Sequence, residues 1–334
     1  MAVITATPCQ VCGHDDLRPL YAVSDKNQGV PGTWAIVACT ACGLGRLDPM
    51  PDAATVATFY QDAFYAEDGR RFRPWVENLR RGLSGLRGLR LRRMLPAGSR
   101  LLDFGAGSGH FAESMCMQGW DAVAHDPFNS TAHAGTNAED GGPVDRTALA
   151  YPDGHFDAIT LWYVIEHLLD PRGALREFHR VLRPGGILVL SQQDFSSVQA
   201  RVFTARWLFL DPPRHLFQFT PATLGTMAAQ EGFTVRHVSS ASLESGPFTI
   251  LQSLLNCVVG NENYLFRFLK SRQLGGQAGT PGSLRAAVGL GASVLLLPLM
   301  APLSFVLYFV LLAFKSGDVF TMYLERTDAR STRR

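Results

Sequence analysis

The chain is short of charge. Only 18% of its 334 residues are Asp, Glu, Lys or Arg, and they nearly cancel to +2. A total this small does not call for a nucleic-acid partner, so local clusters carry more information than the sum. With 46% apolar residues the composition excludes disorder and allows one large domain with attachments, or two smaller ones. The N-terminus, MAVITATPCQVCGHDD, lacks a basic stretch followed by an apolar one, so no secretory signal is visible. The folded body is therefore expected in a reducing cytoplasm, where six cysteines are poor candidates for disulfides. Repeats and low-complexity tracts are absent, apart from the linker-like RQLGGQAGTPGS. One absence is local and extreme. From Ala286 to Phe314, 29 residues carry no charge at all, bounded by Arg285 and Lys315.

What is present begins with four of the cysteines. Cys9-Gln-Val-Cys12-Gly and Cys39-Thr-Ala-Cys42-Gly are matching knuckles with 26 residues between them. Two thiolates on each tight turn close a tetrahedral S4 site, which suits a structural Zn2+ and leaves no open catalytic position. The rival reading is a redox pair or coincidence. A zinc ribbon is expected over about residues 5–48.

RLLDFGAGSGHF, residues 100–111, then reads as a buried strand ending at Asp103, a turn of Gly105, Gly107 and Gly109, and a helix. Such a turn lets backbone approach a ligand and offers free N–H groups at the helix start. Its G-x-G-x-G spacing is not the G-x-G-x-x-G of dinucleotide binders. DAVAHD gives a second strand ending in Asp126, placed to accept ribose hydroxyls. Strands at Phe156–Leu161 and Ile187–Leu190 follow, with Glu166 and His167 in the loop after the first of them. Strands alternating with helices imply a parallel, doubly wound sheet.

The ordered set D-F-G-A-G-S-G, H-D-P, F-D-A-I, I-E-H-L-x-D-P and L-R-P-G-G resembles the class I S-adenosylmethionine-dependent methyltransferases, in the branch of ubiquinone-biosynthesis methyltransferases, over about residues 98–240. The resemblance implies S-adenosylmethionine held along Asp103, Gly105, Ala106, Gly107 and Gly109, with Asp126, Pro127 and Glu166 completing its site. It also implies a seven-stranded, mostly parallel α/β sheet. For the adenine-side residue after the third strand the candidates are Asp145 and Leu149. The ribbon, DPMP, FYQDAFY and W207-x3-D-P-P-R-H-L-F-Q-F-T resemble methyltransferases of sugar and secondary metabolism, in which a zinc ribbon helps enclose the substrate.

Methyl transfer from a sulfonium needs orientation, exclusion of water and, for a hydroxyl acceptor, a base. His215 is the favoured base and His167 the second. A turn histidine bonded to backbone, and a packing role, are the plainer readings of each. Arg214 is a candidate for an anionic group on the acceptor, and Tyr60, Tyr65 and Trp207 for its enclosure.

Residues 70–95 contain nine arginines and one acid, Glu77, with Val76, Leu79, Leu83 and Leu86 on one helical face. This helix either caps the domain with solvated arginines or meets anionic lipid; RNA is a third option, with only Phe72 and Trp75 to stack. The apolar run falls between a sixth strand expected at Gly232–Ser240 and a seventh at Gly317–Arg326, so both its ends return to the same domain. Pro298 and Pro302 divide it into arms of about a dozen residues, which predicts a hairpin dipping into one leaflet; a buried helical pair or a homodimer interface is the alternative. The expected organisation is a ribbon (1–50), a helical linker (51–97), a methyltransferase domain (98–240 and 317–328) and an apolar insertion (241–316). The expected protein is a monotopic, cytosol-facing enzyme acting on a small, lipid-soluble or lipid-linked acceptor, with no nucleic-acid partner.

Overall fold

A computed structural model describes residues 7–60, 72–126, 149–242, 244–270 and 284–327. The N-terminal unit is an antiparallel sheet of β1 (Leu17–Val23), β2 (Trp34–Cys39) and β3 (Gly45–Asp48). It does not stand alone. β3 also pairs with β8 (Phe217–Gln218), a short strand from the C-terminal half of the chain. Gly45 permits this approach, since a Cβ there would lie 2.7 Å from that of Gln218. The two cysteine knuckles repeat one another: Gly13 N–H donates to Cys9 O and Gly43 N–H to Cys39 O, with φ of +74° and +79°.

The large sheet contains β4 (Arg100–Phe104), β5 (Asp121–His125), β6 (Phe156–Trp162), β7 (Leu182–Gln193), β9 (Phe233–Ser239) and β10 (Val319–Arg326), in the order β5-β4-β6-β7-β10-β9. The first four are parallel; β10 runs antiparallel to both neighbours. Helices α1 (Ala53–Thr58), α2 (Pro74–Arg87) and α3 (Leu91–Met94) precede this sheet and α6 (Val198–Phe203) follows β7; alternate side chains of the strands feed two cores, as pleating requires. Leu101 and Val189 pack with α4 (His110–Met117) on one face; Leu102 and Leu188 pack with α5 (Pro171–Val181) and α7 (Pro221–Gln230) on the other. The sheet is thus doubly wound. It has six strands among the described residues rather than seven, the expected third strand lying in 127–148, outside them.

The insertion between β9 and β10 departs from expectation. After α8 (Gly246–Val258) and α9 (Tyr264–Leu269) comes one unbroken 30-residue helix, α10 (Leu284–Ala313), not a hairpin. Pro298 and Pro302 both lie inside it, on its exposed side, four residues apart. Their rings therefore disturb only the outward side, and the packed side keeps its contacts. Leu296, Leu297, Met300 and Ala301 rest on Leu251, Leu255 and Leu265. Gly289 lets Tyr264 come so close that a Cβ would meet its ring at 2.4 Å.

Candidate active site

β4 delivers Asp103 to the sheet's C-terminal edge, where Gly105, Gly107 and Gly109 adopt φ of +73°, +59° and +72°. These left-handed turns carry the chain from β4 into α4 and leave a cleft of about 1120 Å³ above the strand ends. Asp126, at the end of β5, accepts from Gly107 N–H at 2.7 Å. Asp103 accepts from the Thr160 hydroxyl at 2.7 Å, and burial pushes its carboxyl up to about 7. Ala106, Trp162 and Tyr163 complete the wall, and the buried Trp162 indole N–H finds no acceptor among the described residues. Acidic groups, a glycine cradle and an unanswered donor fit a nucleoside bearing an amino acid.

The opposite wall was not foreseen. It comes from α2 (Pro74–Arg87) and from the start of the insertion. Arg87 Nε donates to Glu244 Oε2 at 2.8 Å and Arg80 Nε to Glu244 Oε1 at 3.4 Å. Burial pushes the Glu244 carboxyl up, but the two arginine charges outweigh it and hold it below its usual range. Arg81 in turn meets Glu113 on α4. The arginine-rich helix thus uses three of its cations on acids of its own chain.

A second cavity of about 1350 Å³ adjoins the first. Arg80, Tyr163, His167 and Glu244 belong to both walls. Elsewhere it is largely apolar: Val76, Leu79 and Leu83 from α2, Phe248 from α8, Phe266 and Leu269 from α9, with Leu208 and Phe209 from the 3₁₀ turn Leu208–Leu210. Trp75 and Leu79 are 59% and 58% exposed, which puts an apolar lip on it. Gln193, His215, Asp211 and Asn27 form a polar patch in the same wall.

The two histidines meet because Leu216 N–H donates to Glu166 O at 2.9 Å, tying their segments together. Their ring centroids are 4.7 Å apart, edge to face. His215 Nδ1 lies 2.7 Å from Phe209 O, and His167 Nδ1 lies 2.9 Å from Arg214 O. A carbonyl only accepts, so Nδ1 carries the proton in both rings and Nε2 is the basic nitrogen. Tyr60 Oη is 3.0 Å from the same His167 nitrogen. Tyr60 and His167 thus line the first cavity together. Donor atoms of Glu166, His167 and His215 lie within 4.8 Å of one another.

Three expectations are corrected. Arg214 does not reach an acceptor: its side chain is fully buried, with Nη1 and Nη2 on Asp25 at 2.9 and 2.8 Å and Nε on Asp211 at 3.0 Å. It bolts the ribbon to the 211–215 turn. Trp207 is 2% exposed and packs edge-on behind Phe209, which takes the place in the wall. Glu166 is 1% exposed and stands outside the cofactor-side wall, its carboxyl pushed up to about 8 by burial. Tyr65 and Pro127 lie outside the described residues. In the ribbon, Sγ of Cys9 and Cys42 are 3.5 Å apart, those of Cys12 and Cys39 3.6 Å, and all four fall within 4.8 Å. One zinc with ~2.3 Å bonds to four sulfurs needs about 3.8 Å between them, whereas a disulfide needs about 2.05 Å. The donors fit the ion.

A doubly wound sheet with a glycine turn after its first strand and acids at the first two strand ends defines a Rossmann-like nucleotide-binding domain of methyltransferase type. The family described as "Methyltransferase domain" matches residues 75–238 of this chain. An "Uncharacterized methyltransferase" of Mycobacterium sp. (strain JLS) is 39% identical over 99 residues, 29% of this chain and 39% of that protein. The match thus spans about two fifths of that relative's length. A "Ubiquinone biosynthesis O-methyltransferase" of Chromobacterium violaceum is 28% identical over 172 residues, covering 47% of this chain and 73% of that one. Among solved structures, the 1,6-didemethyltoxoflavin-N1-methyltransferase of Burkholderia thailandensis covers 93% of this chain and 99% of its own, at 15% identity and a TM-score of 0.48.

Proposed function

We propose that this chain is an S-adenosylmethionine-dependent methyltransferase that O-methylates a lipid-soluble or lipid-linked small molecule at a membrane surface. The observation that carries the reading is the largely apolar cavity sharing a wall with the glycine-turn cleft. When bound, S-adenosylmethionine supplies an electrophilic methyl group. Asp103, Gly105, Gly107 and Asp126 are the residues that would hold it, with the Arg87–Glu244 pair closing the cleft. The apolar walls orient the acceptor and exclude water, which contributes at most about 7–11 kcal/mol to the rate. In the transfer the acceptor oxygen would bond the methyl carbon as the carbon–sulfur bond breaks, leaving S-adenosylhomocysteine as a neutral thioether, while the hydroxyl proton would pass to a histidine Nε2, an effect of about 10²- to 10⁴-fold. His215 was favoured for this task from its place in the chain. His167 is the better placed, because it belongs to the wall common to both cavities. The four ribbon cysteines hold a structural zinc.

The test uses labelled S-adenosylmethionine, the detergent-solubilised protein and an extract of the native host. Label recovered in the organic-extractable lipid, and lost with His167→Ala but only reduced with His215→Ala, is the expected result. Label confined to the aqueous fraction sinks the lipid reading and favours a soluble sugar- or polyketide-type acceptor.

A further inference from the structure

We propose that α10 is an anchor lying in the plane of a membrane, its outward face embedded in one leaflet of an anionic bilayer. The inference rests on the proposed action at a membrane surface, and not on which molecule accepts the methyl group. The helix is fastened to the body along one side, from Gly289 against Tyr264 to Tyr308, whose hydroxyl accepts from Ser242 N–H at 3.0 Å. That is roughly 28 Å of helix axis at 1.5 Å per residue. A helix so fastened cannot stand upright through a bilayer without carrying α8 and α9 in with it. It can lie flat.

The outward side is apolar throughout. Leu295 and Leu299 are 81% and 65% exposed, Val306 60% and Phe309 55%. At about 100° per residue, the exposed positions from Val288 to Val310 sweep about 180° of the helix circumference. A single neighbouring helix covers a stripe of about 100°. A second copy of this chain would therefore leave nearly half the face in water, whereas fluid hydrocarbon covers all of it. Charge points the same way. Cations, Arg285 and Lys315, stand at both ends with no acid between them. Two copies paired in either direction would bring cation to cation at each end, while anionic headgroups answer both.

The experiment floats the full chain with vesicles of phosphatidylcholine, with and without phosphatidylglycerol. Val288→Glu, Leu299→Glu and Phe309→Glu sample three points along the outward face. Binding that is stronger with phosphatidylglycerol, and weakened roughly tenfold by each variant alike, is expected. Unchanged S-adenosylhomocysteine binding shows that each variant is folded. A loss confined to Leu299→Glu would mean a spanning helix and overturn the proposal. So would a wild-type dimer, seen by light scattering, that ignores vesicles and that Leu299→Glu converts to monomer. Wild-type protein that ignores vesicles yet labels an organic-extractable acceptor would overturn the anchor and leave the proposed function standing.

Discussion

The two adjoining cavities are built in opposite ways. One side of the cofactor cleft comes from a few consecutive residues: Asp103 to Gly109 supply a strand end, a turn and a helix start, with Asp126 a short way on. The second cavity, proposed for the acceptor, is assembled from distant pieces: α2, the loop after β6, the end of β7, the 208–215 segment, the insertion helices and Asn27 of the ribbon. What joins the ribbon, the 208–215 segment and the insertion is a buried polar chain. Asn263 donates to Asn27 at 2.8 Å and Asn256 to Asn263 at 2.7 Å, while Arg214 joins Asp25 to Asp211. Local sequence makes the first cavity; long-range order makes the second. Damage to the scaffold should accordingly fall on the acceptor before it falls on the cofactor.

The largest effect is expected from the ribbon. Cys12→Ser with Cys39→Ser removes two of four sulfurs, and a structural zinc site of this kind contributes about 10 kcal/mol or more of folding free energy. β3, β8 and the Asp25–Arg214 pair should loosen with it. Transfer to the acceptor should fall more than a hundredfold, while calorimetric binding of S-adenosylhomocysteine changes only a few-fold. Equal loss of both would mean that the two cavities depend on one scaffold. Metal analysis should return one zinc per wild-type chain and none for the variant.

Arg214→Met comes next. It leaves two carboxylates, Asp25 and Asp211, buried without their cation. Burial pushes the Asp25 carboxyl up, but Arg214 outweighs it, and Asp211 is held well below the usual carboxylate range by the same guanidinium. Breaking a buried pair costs about 3–5 kcal/mol, which chemical denaturation would read directly. If Arg214 served the acceptor instead, KM would rise with little change in stability.

That contrast also accounts for what could be read from the chain. The glycine turn, Asp126, both cysteine knuckles and the strands β4 to β7, β9 and β10 were legible because each is written in adjacent residues or a fixed spacing. Arg214 was misread because a cation beside a histidine looks the same whether it faces a cavity or a carboxylate 189 residues away. Glu244, Arg80 and Arg87 were missed for the same reason: an acid early in the insertion gives no sign that it faces two arginines of α2. Pro298 and Pro302 suggested a break, but packing along the other side of α10 carried the helix through. Tyr163, at φ +61° on the shared wall, left no sequence signal at all.

A smaller effect tests the cofactor side by itself. Asp103 is raised from 3.8 to about 7 in the folded protein. An acid raised on folding contributes stability that is complete below its unfolded pKa and is lost as pH climbs through the folded one. The ligand-free protein should therefore lose stability between about pH 4 and 7 through this group. Binding a cationic amino group draws on the ionised form, so S-adenosylhomocysteine affinity should rise across the upper part of the same window. Asp103→Asn should flatten both trends and weaken binding about tenfold to a hundredfold. A pH-independent affinity in the wild type would remove Asp103 from the cofactor's site.

The smallest effect concerns the apolar wall. Leu83 faces the second cavity, proposed for the acceptor, from the same helix that sends Arg80 and Arg87 toward the glycine-turn cleft. Leu83→Ala removes part of one apolar surface and none of the polar groups, so the loss is binding common to ground and transition states. At about 25 cal/mol per Å² this amounts to about 1 kcal/mol, or a KM for the acceptor raised roughly fivefold with kcat unchanged. S-adenosylhomocysteine affinity should not move. A fall in kcat would mean that α2 positions the reacting groups, and the boundary between the two cavities would have to be redrawn along that helix.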